Sequence, residues 1–128
     1  MKVINPSTVM PPPGGYSQGI QAGDLIFLAG QVGVDAGGKL TGDAGMAAQT
    51  RQTIANVSAV LAEAGATLAD IASATVYLKN LDEYKVFCQV WQECFGTHKP
   101  ARATLQAELV MPQLLVEIQA IAVRPHVD

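Results

Sequence analysis

The segment Leu114 to Val123 constrains this chain most. It is a near-continuous apolar run broken only by Glu117 and Gln119. Alternation sorts it into one face of Val116, Ile118, Ala120 and Ala122 and another of Leu115, Glu117, Gln119 and Ile121, the period of a strand. A second alternating stretch begins at Arg102, with Ala103, Leu105, Ala107 and Leu109 on one parity and Arg102, Thr104, Gln106 and Glu108 on the other. Read this way, the apolar parity of each strand is buried, and Arg102 and Glu117 both stand opposite it. An arginine fork can hold a carboxylate with two parallel hydrogen bonds, and a carboxylate can orient or activate water. Two readings of the pair are open, a catalytic site or a structural salt bridge of Glu117 with Arg102 or Arg51.

The remaining elements follow from periodicity and punctuation. Lys2 to Ile4 reads as a short edge strand before Pro11-Pro12-Pro13-Gly14-Gly15. Tyr16 to Gln21 and Leu25 to Leu28, joined through Ala22-Gly23-Asp24, read as a hairpin with a well-buried second strand. It stops at Ala29-Gly30-Gln31, where a glycine lets backbone approach a neighbour or ligand closely. Thr50, Ile54, Val57, Leu61 and Ala64 predict an amphipathic helix from about Gly45 to Ala64, stopped by Gly65. Ser73 to Leu78 is a strand. Asn80 and Glu83 resemble a capping box for a second helix with Tyr84, Phe87, Trp91 and Cys94 on one stripe, closed by Gly96. The order β-β-β-α-β-α-β-β predicts an α+β fold, a mixed six-stranded sheet with both helices on one face. The other sheet face then needs a cover, most simply a sister subunit.

Bulk properties narrow the function. A length of 128 residues predicts a single domain over 1–128. Charged residues make up 15% and the hydrophobic set 49%, fewer charges than a small soluble monomer usually carries, which again predicts an oligomer. A net charge of -3 argues against nucleic-acid binding. The start Met1 to Pro6 has no secretory apolar core, and no run has membrane-spanning length. Cys88 and Cys94 share a helix about 240° apart around its axis, too far for a disulfide. A cytoplasmic location is therefore expected. Neither Cys nor His spacing gives a metal signature. His98 reads as a solvated turn residue, and His126 lies in the tail. Tyr16 is open to two readings, a lid or hydrogen-bond donor on a mobile loop, or an ordinary aromatic flanking a hairpin.

Gly15-Tyr16-Ser17-Gln18, Ala29-Gly30-Gln31, Pro100-Ala101-Arg102 and Val116 to Ala122 together resemble, in order and spacing, the RidA family of reactive-intermediate (imine/enamine) deaminases, to which the name L-PSP endoribonuclease is also attached. Gln49, Asn56 and the Ala64-Gly65 helix ending extend the resemblance over nearly the whole chain. It implies a chorismate-mutase-like fold and a homotrimer with inward-facing sheets and intersubunit clefts. It also implies cofactor-free hydrolysis of a carboxylate-bearing 2-imino or enamine acid to a 2-keto acid and ammonia. By position, Arg102 would clamp the substrate carboxylate, Glu117 would position water and Tyr16 would close the cleft. Ala29, Gly30, Gln31, Cys88, Ala103 and Thr104 would line the pocket. The chain departs from the family pattern at Gly15 (usually Pro), Ala29 (Ser), Cys88 (often Asn), Thr104 (often Cys) and Val110-Met111 (Leu-Pro). A pocket with Ala29 and Cys88 suits a larger or less polar enamine. The alternative is a non-catalytic trimer that senses small carboxylates or docks a partner. An endoribonuclease reading fits an acidic chain poorly.

Overall fold

The computed structural model describes residues 1–41 and 43–125; His126, assigned to the tail from sequence, lies outside them. Seven strands form one sheet: β1 (Lys2–Ile4), β2 (Gly19–Ala22), β3 (Leu25–Leu28), β4 (Gln31–Val32), β5 (Ile71–Leu78), β6 (Ala101–Gln106) and β7 (Val116–Val123). The order is β1-β2-β3-β7-β5-β6, with β4 also on β7. Only β5 and β6 are parallel; the other pairs are antiparallel. The sheet is thus mixed, as the α+β reading requires. Helices α1 (Met46–Glu63) and α2 (Tyr84–Phe95) share one core with Ile26, Ala74, Val76, Ile118 and Ala120.

The helix boundaries follow the glycines. After α1, Gly65 takes φ +76°, and the N–H groups of Gly65 and Ala66 donate back to the carbonyls of Ala62 and Leu61, the hydrogen-bond pair of a left-handed helix stop. Gly96 closes α2 at φ +63°. Asn80 caps a short 3-10 turn, Leu81–Glu83, rather than α2 itself, its Oδ1 accepting the Asp82 N–H at 2.9 Å.

Six strands were expected and seven are present among the described residues. Phe27 lies opposite Ile121 and Gln31 opposite Ile118, so four steps along one strand match three along the other. That extra residue is a β-bulge at Ala29-Gly30, and β4 is β3 resumed past it. Without a partner strand in view, a two-residue continuation carries no alternation to read. The same bulge puts both Leu28 and Gln31 among the buried residues. Strand β3 alternates exposed and buried rather than being buried throughout.

The two faces of β6 are the reverse of the sequence reading. Arg102 and Thr104 pair with Ala74 and Val76, both buried, and so turn toward the helices. Ala103 and Leu105 lie on the open face, and the strand ends at Gln106 before Ala107 and Leu109. Alternation separates two faces but does not say which one meets the core. Here α2 offers aromatic rings to the arginine side, leaving the small and apolar parity uncovered. Leu25, Phe27, Leu105, Ile121 and Val123, all more than a third exposed, populate that uncovered face.

Candidate active site

Arg102 follows Pro100 at the head of the edge strand β6, and its guanidinium leans over α2. Its Cζ lies 4.9 Å from the ring centre of Trp91, 5.3 Å from Phe87 and 5.9 Å from Tyr84, within the range of cation–π attraction. Nη2 donates to Tyr84 Oη at 2.9 Å and lies 3.7 Å from Cys88 Sγ. No carboxylate pairs with it among the described residues. A cleft of about 480 Å³ opens here between Tyr84, Cys88, Trp91, Lys99 and Arg102. A neighbouring cleft adds Leu81 and Thr104 on the far side of Tyr84 and Arg102.

Glu117 sits on the other face of the sheet. It lies opposite Tyr77 and Val32 and alternates with Val116 and Ile118, which are buried against the helices. Its carboxylate lies on the bare backbone of the bulge: a Cβ built on Gly30 would stand 2.3 Å from Oε2 and 2.7 Å from Cδ. Any larger residue there would make the carboxylate move. Burial pushes the Glu117 carboxyl above its ordinary pKa, since removing water penalises the charged form. It makes no hydrogen bond or ion pair among the described residues. The salt-bridge alternative is thereby corrected, because Arg51 pairs with Glu93 at 2.8 Å and Arg102 faces α2.

Residues beside Glu117 hold the bulge. Gln31 is 4% exposed, and its Nε2 donates to Gln18 Oε1 at 2.7 Å and to the Ala29 carbonyl at 3.2 Å. Gln18 in turn donates to the Met10 carbonyl at 2.7 Å and receives the N–H of Ala29 at its own carbonyl. Gln31 is thus a buried brace with its donors engaged. From α1, Asn56 Nδ2 donates to the carbonyls of Val32 and Val34. Gln49 bonds the carbonyls of Ala44 and Gln113 and the N–H of Leu115. This clamp fixes β4 and the entry to β7, and hence Glu117.

Among the sequence-derived positions, Arg102, Cys88 and Thr104 come together on the helix side of β6. Glu117, Ala29, Gly30 and Gln31 gather at the bulge, and Ala103 stands exposed on the open face. Tyr16, 46% exposed beyond Gly15 at φ +79°, joins neither group. His98 is anchored rather than solvated, its Nε2 2.8 Å from the Ile71 carbonyl. The sequence reading placed Tyr84 and Trp91 on one helical stripe without connecting that stripe to Arg102, and so missed the arginine cage. The available signal was Tyr84, Cys88 and Trp91 at positions i, i+4 and i+7, a single helical line, followed by a strand that opens with an arginine.

Residues 7–124 match the family model described as Endoribonuclease L-PSP. A RutC family protein of Pyrococcus abyssi is 42% identical over 113 residues, covering 87% of each chain. The 2-iminobutanoate/2-iminopropanoate deaminase of Escherichia coli K12 is 34% identical over 116 residues, 87% of this chain and 88% of that one. The crystal structure of E. coli TdcF with bound serine superposes with a TM-score of 0.90 at 29% identity, covering 98% of this chain and 100% of that one. The fold and these matches agree: the chain belongs to the Endoribonuclease L-PSP family, the group of RidA and RutC proteins.

Proposed function

We propose that this protein hydrolyses a small 2-imino or enamine acid to the 2-keto acid and ammonia, without a cofactor, in clefts between subunits of a homotrimer. One observation carries the reading. Among the described residues Arg102 and Glu117 both lack an opposite charge, and they project from opposite faces of one sheet, so a neighbouring copy is needed to bring such a pair into one cleft. The uncovered apolar face supports that neighbour. The deaminase name of the E. coli relative and the serine bound to TdcF, an amino acid with a carboxylate, support the substrate class.

In this reading Arg102 of one subunit holds the substrate carboxylate, and the imine carbon lies near Glu117 of the next. With the imine entering as its protonated iminium, Glu117 takes a proton from water as the water oxygen bonds to the imine carbon and the C=N electron pair moves to nitrogen, giving a neutral carbinolamine. The proton held by Glu117 then passes to the amine of the carbinolamine, the C–N bond breaks, and ammonia leaves as the carbinol O–H gives its proton back to Glu117 and the carbonyl forms; Glu117 then releases that proton to solvent. A carboxyl whose pKa is raised by burial suits both transfers. Thr104 and Cys88 border the carboxylate end, while Ala29 presents a methyl group at the bulge.

The test is ammonia and keto-acid release from freshly generated 2-iminopropionate and 2-iminobutyrate. Turnover that Arg102→Ala abolishes supports the proposal; wild-type rates equal to the spontaneous rate refute it. A carboxylate-sensing trimer is the second reading, favoured by the caged guanidinium. Sensing survives Glu117→Ala, whereas deamination does not. RNA cleavage is poorly supported: the net charge is -3, and Phe87 and Trp91 are 0% and 6% exposed, closed to base stacking.

A further inference from the structure

We infer that Tyr84 is a substrate-binding residue that shares the carboxylate with Arg102. The inference rests on the deaminase reading for its substrate and on geometry for the residue. Arginine has five N–H donors in a planar fork. In this structure both Nη2 hydrogens are directed at protein atoms, the Tyr84 oxygen at 2.9 Å and the Cys88 sulfur at 3.7 Å. An incoming carboxylate therefore does not meet a fork with a free hydrogen on every nitrogen. It meets the remaining guanidinium donors, with the Tyr84 hydroxyl beside them.

That hydroxyl accepts from Arg102, which leaves its own proton free to donate. Accepting from a cation polarises the O–H and strengthens the bond it gives. Tyr84 and Arg102 line both clefts on this side of the molecule, so an anion entering either one meets the pair. Tyr84 is 40% exposed, which leaves its hydroxyl within reach of a ligand. One carboxylate oxygen then accepts from a guanidinium N–H and the other from the Tyr84 O–H. The rings of Trp91 and Phe87 keep the guanidinium plane from turning away. The arrangement selects a carboxylate by two unlike donors rather than by arginine alone.

The experiment compares wild type, Tyr84→Phe and Arg102→Ala. It measures KM and kcat with 2-iminopropionate, Kd for pyruvate (the 2-keto acid product) by calorimetry, and the melting temperature. Phenylalanine keeps the ring under Arg102 and removes only the hydroxyl. The expected result for Tyr84→Phe is a rise of about tenfold in both KM and pyruvate Kd, with kcat changed less than about twofold and the melting temperature unmoved. A KM and Kd equal to or below wild type overturn the inference, as does a wild-type protein that does not bind pyruvate. Wild-type turnover lost in Arg102→Ala but untouched in Tyr84→Phe sinks this inference and leaves the deaminase reading standing. If wild type releases no ammonia above background, the deaminase reading fails and the pyruvate titration still decides the role of Tyr84.

Discussion

Replacing Gly30 by alanine inserts one methyl group at the most crowded point of the candidate site. The added carbon would stand 2.3 Å from Glu117 Oε2, 2.7 Å from Cδ and 3.0 Å from Cγ. Relaxed contacts lie near 3.5 Å, so the carboxylate has to retreat by about 1 Å. Its obstructed atoms are the free end of a side chain, and Gly30 is not among the positive-φ glycines. Alanine is therefore accommodated by the backbone, and the melting temperature should stay close to that of wild type. A displacement of that size at a reacting group costs roughly 100-fold in rate, equivalent to about 2.7 kcal/mol of barrier. Initial rates of ammonia release from 2-iminopropionate measure it. Combining Gly30→Ala with Glu117→Ala should give no further loss beyond Glu117→Ala alone, because the methyl acts only through that carboxylate. A Gly30→Ala enzyme with wild-type kcat would refute the reasoning, and so would additive losses in the double variant.

Two further outcomes follow from the placement of the charges. Arg102→Ala and Glu117→Ala are each expected to be inactive, yet subunits of the two variants mixed one to one and reassembled should recover about a quarter of wild-type turnover, since random closed assembly gives that share of sites an intact residue from each side; a mixture that stays inactive argues against sites shared between chains. Glu117→Gln should be more stable than wild type at pH 7. Because burial raises the folded-state pKa of Glu117, the native chain binds more protons than the unfolded chain between the ordinary carboxylate value and the raised one. Wild-type stability therefore falls as pH rises through that window, and the advantage of the glutamine disappears below it. Thermal melts from pH 4 to pH 8 check the sign, and a wild type more stable than Glu117→Gln at pH 7 contradicts it.

Much of the architecture was legible because helices announce themselves locally. The three- and four-residue steps from Thr50 to Ala64, with Gly65 after them, locate α1 to within a residue. Arg102 and Glu117 could be singled out by residue type, but their geometry could not be read. Alternation fixes which residues share a face, while the identity of the face depends on what packs against it. On β6 that is α2, brought there by the chain's path and not by any feature of Ala101–Gln106. The bulge at Ala29-Gly30 was invisible for a related reason: its extra residue exists only relative to β7, far away in sequence. Gln31 was placed in the pocket by the family resemblance, and only the fold reveals Gln18 and the Ala29 carbonyl as the partners of its amide.

The side chains of Gln49 and Asn56 serve the loops as a backbone would, supplying donors and an acceptor where no strand is available. Segments 32–34, 44 and 113–115 are thereby fastened to one rigid helix and should move with it as a unit. Arg102 belongs to a different mechanical body, the edge strand β6 and the aromatic rings of α2. A site assembled from these two bodies would have one jaw as stiff as the protein core and one whose position depends on how β6 is gripped. Hydrogen exchange would report this as slow amides around β4 and the start of β7 and faster ones along β6. Tuning the proposed site for a bulkier substrate would then be a matter of shifting the second jaw, with Glu117 left undisturbed.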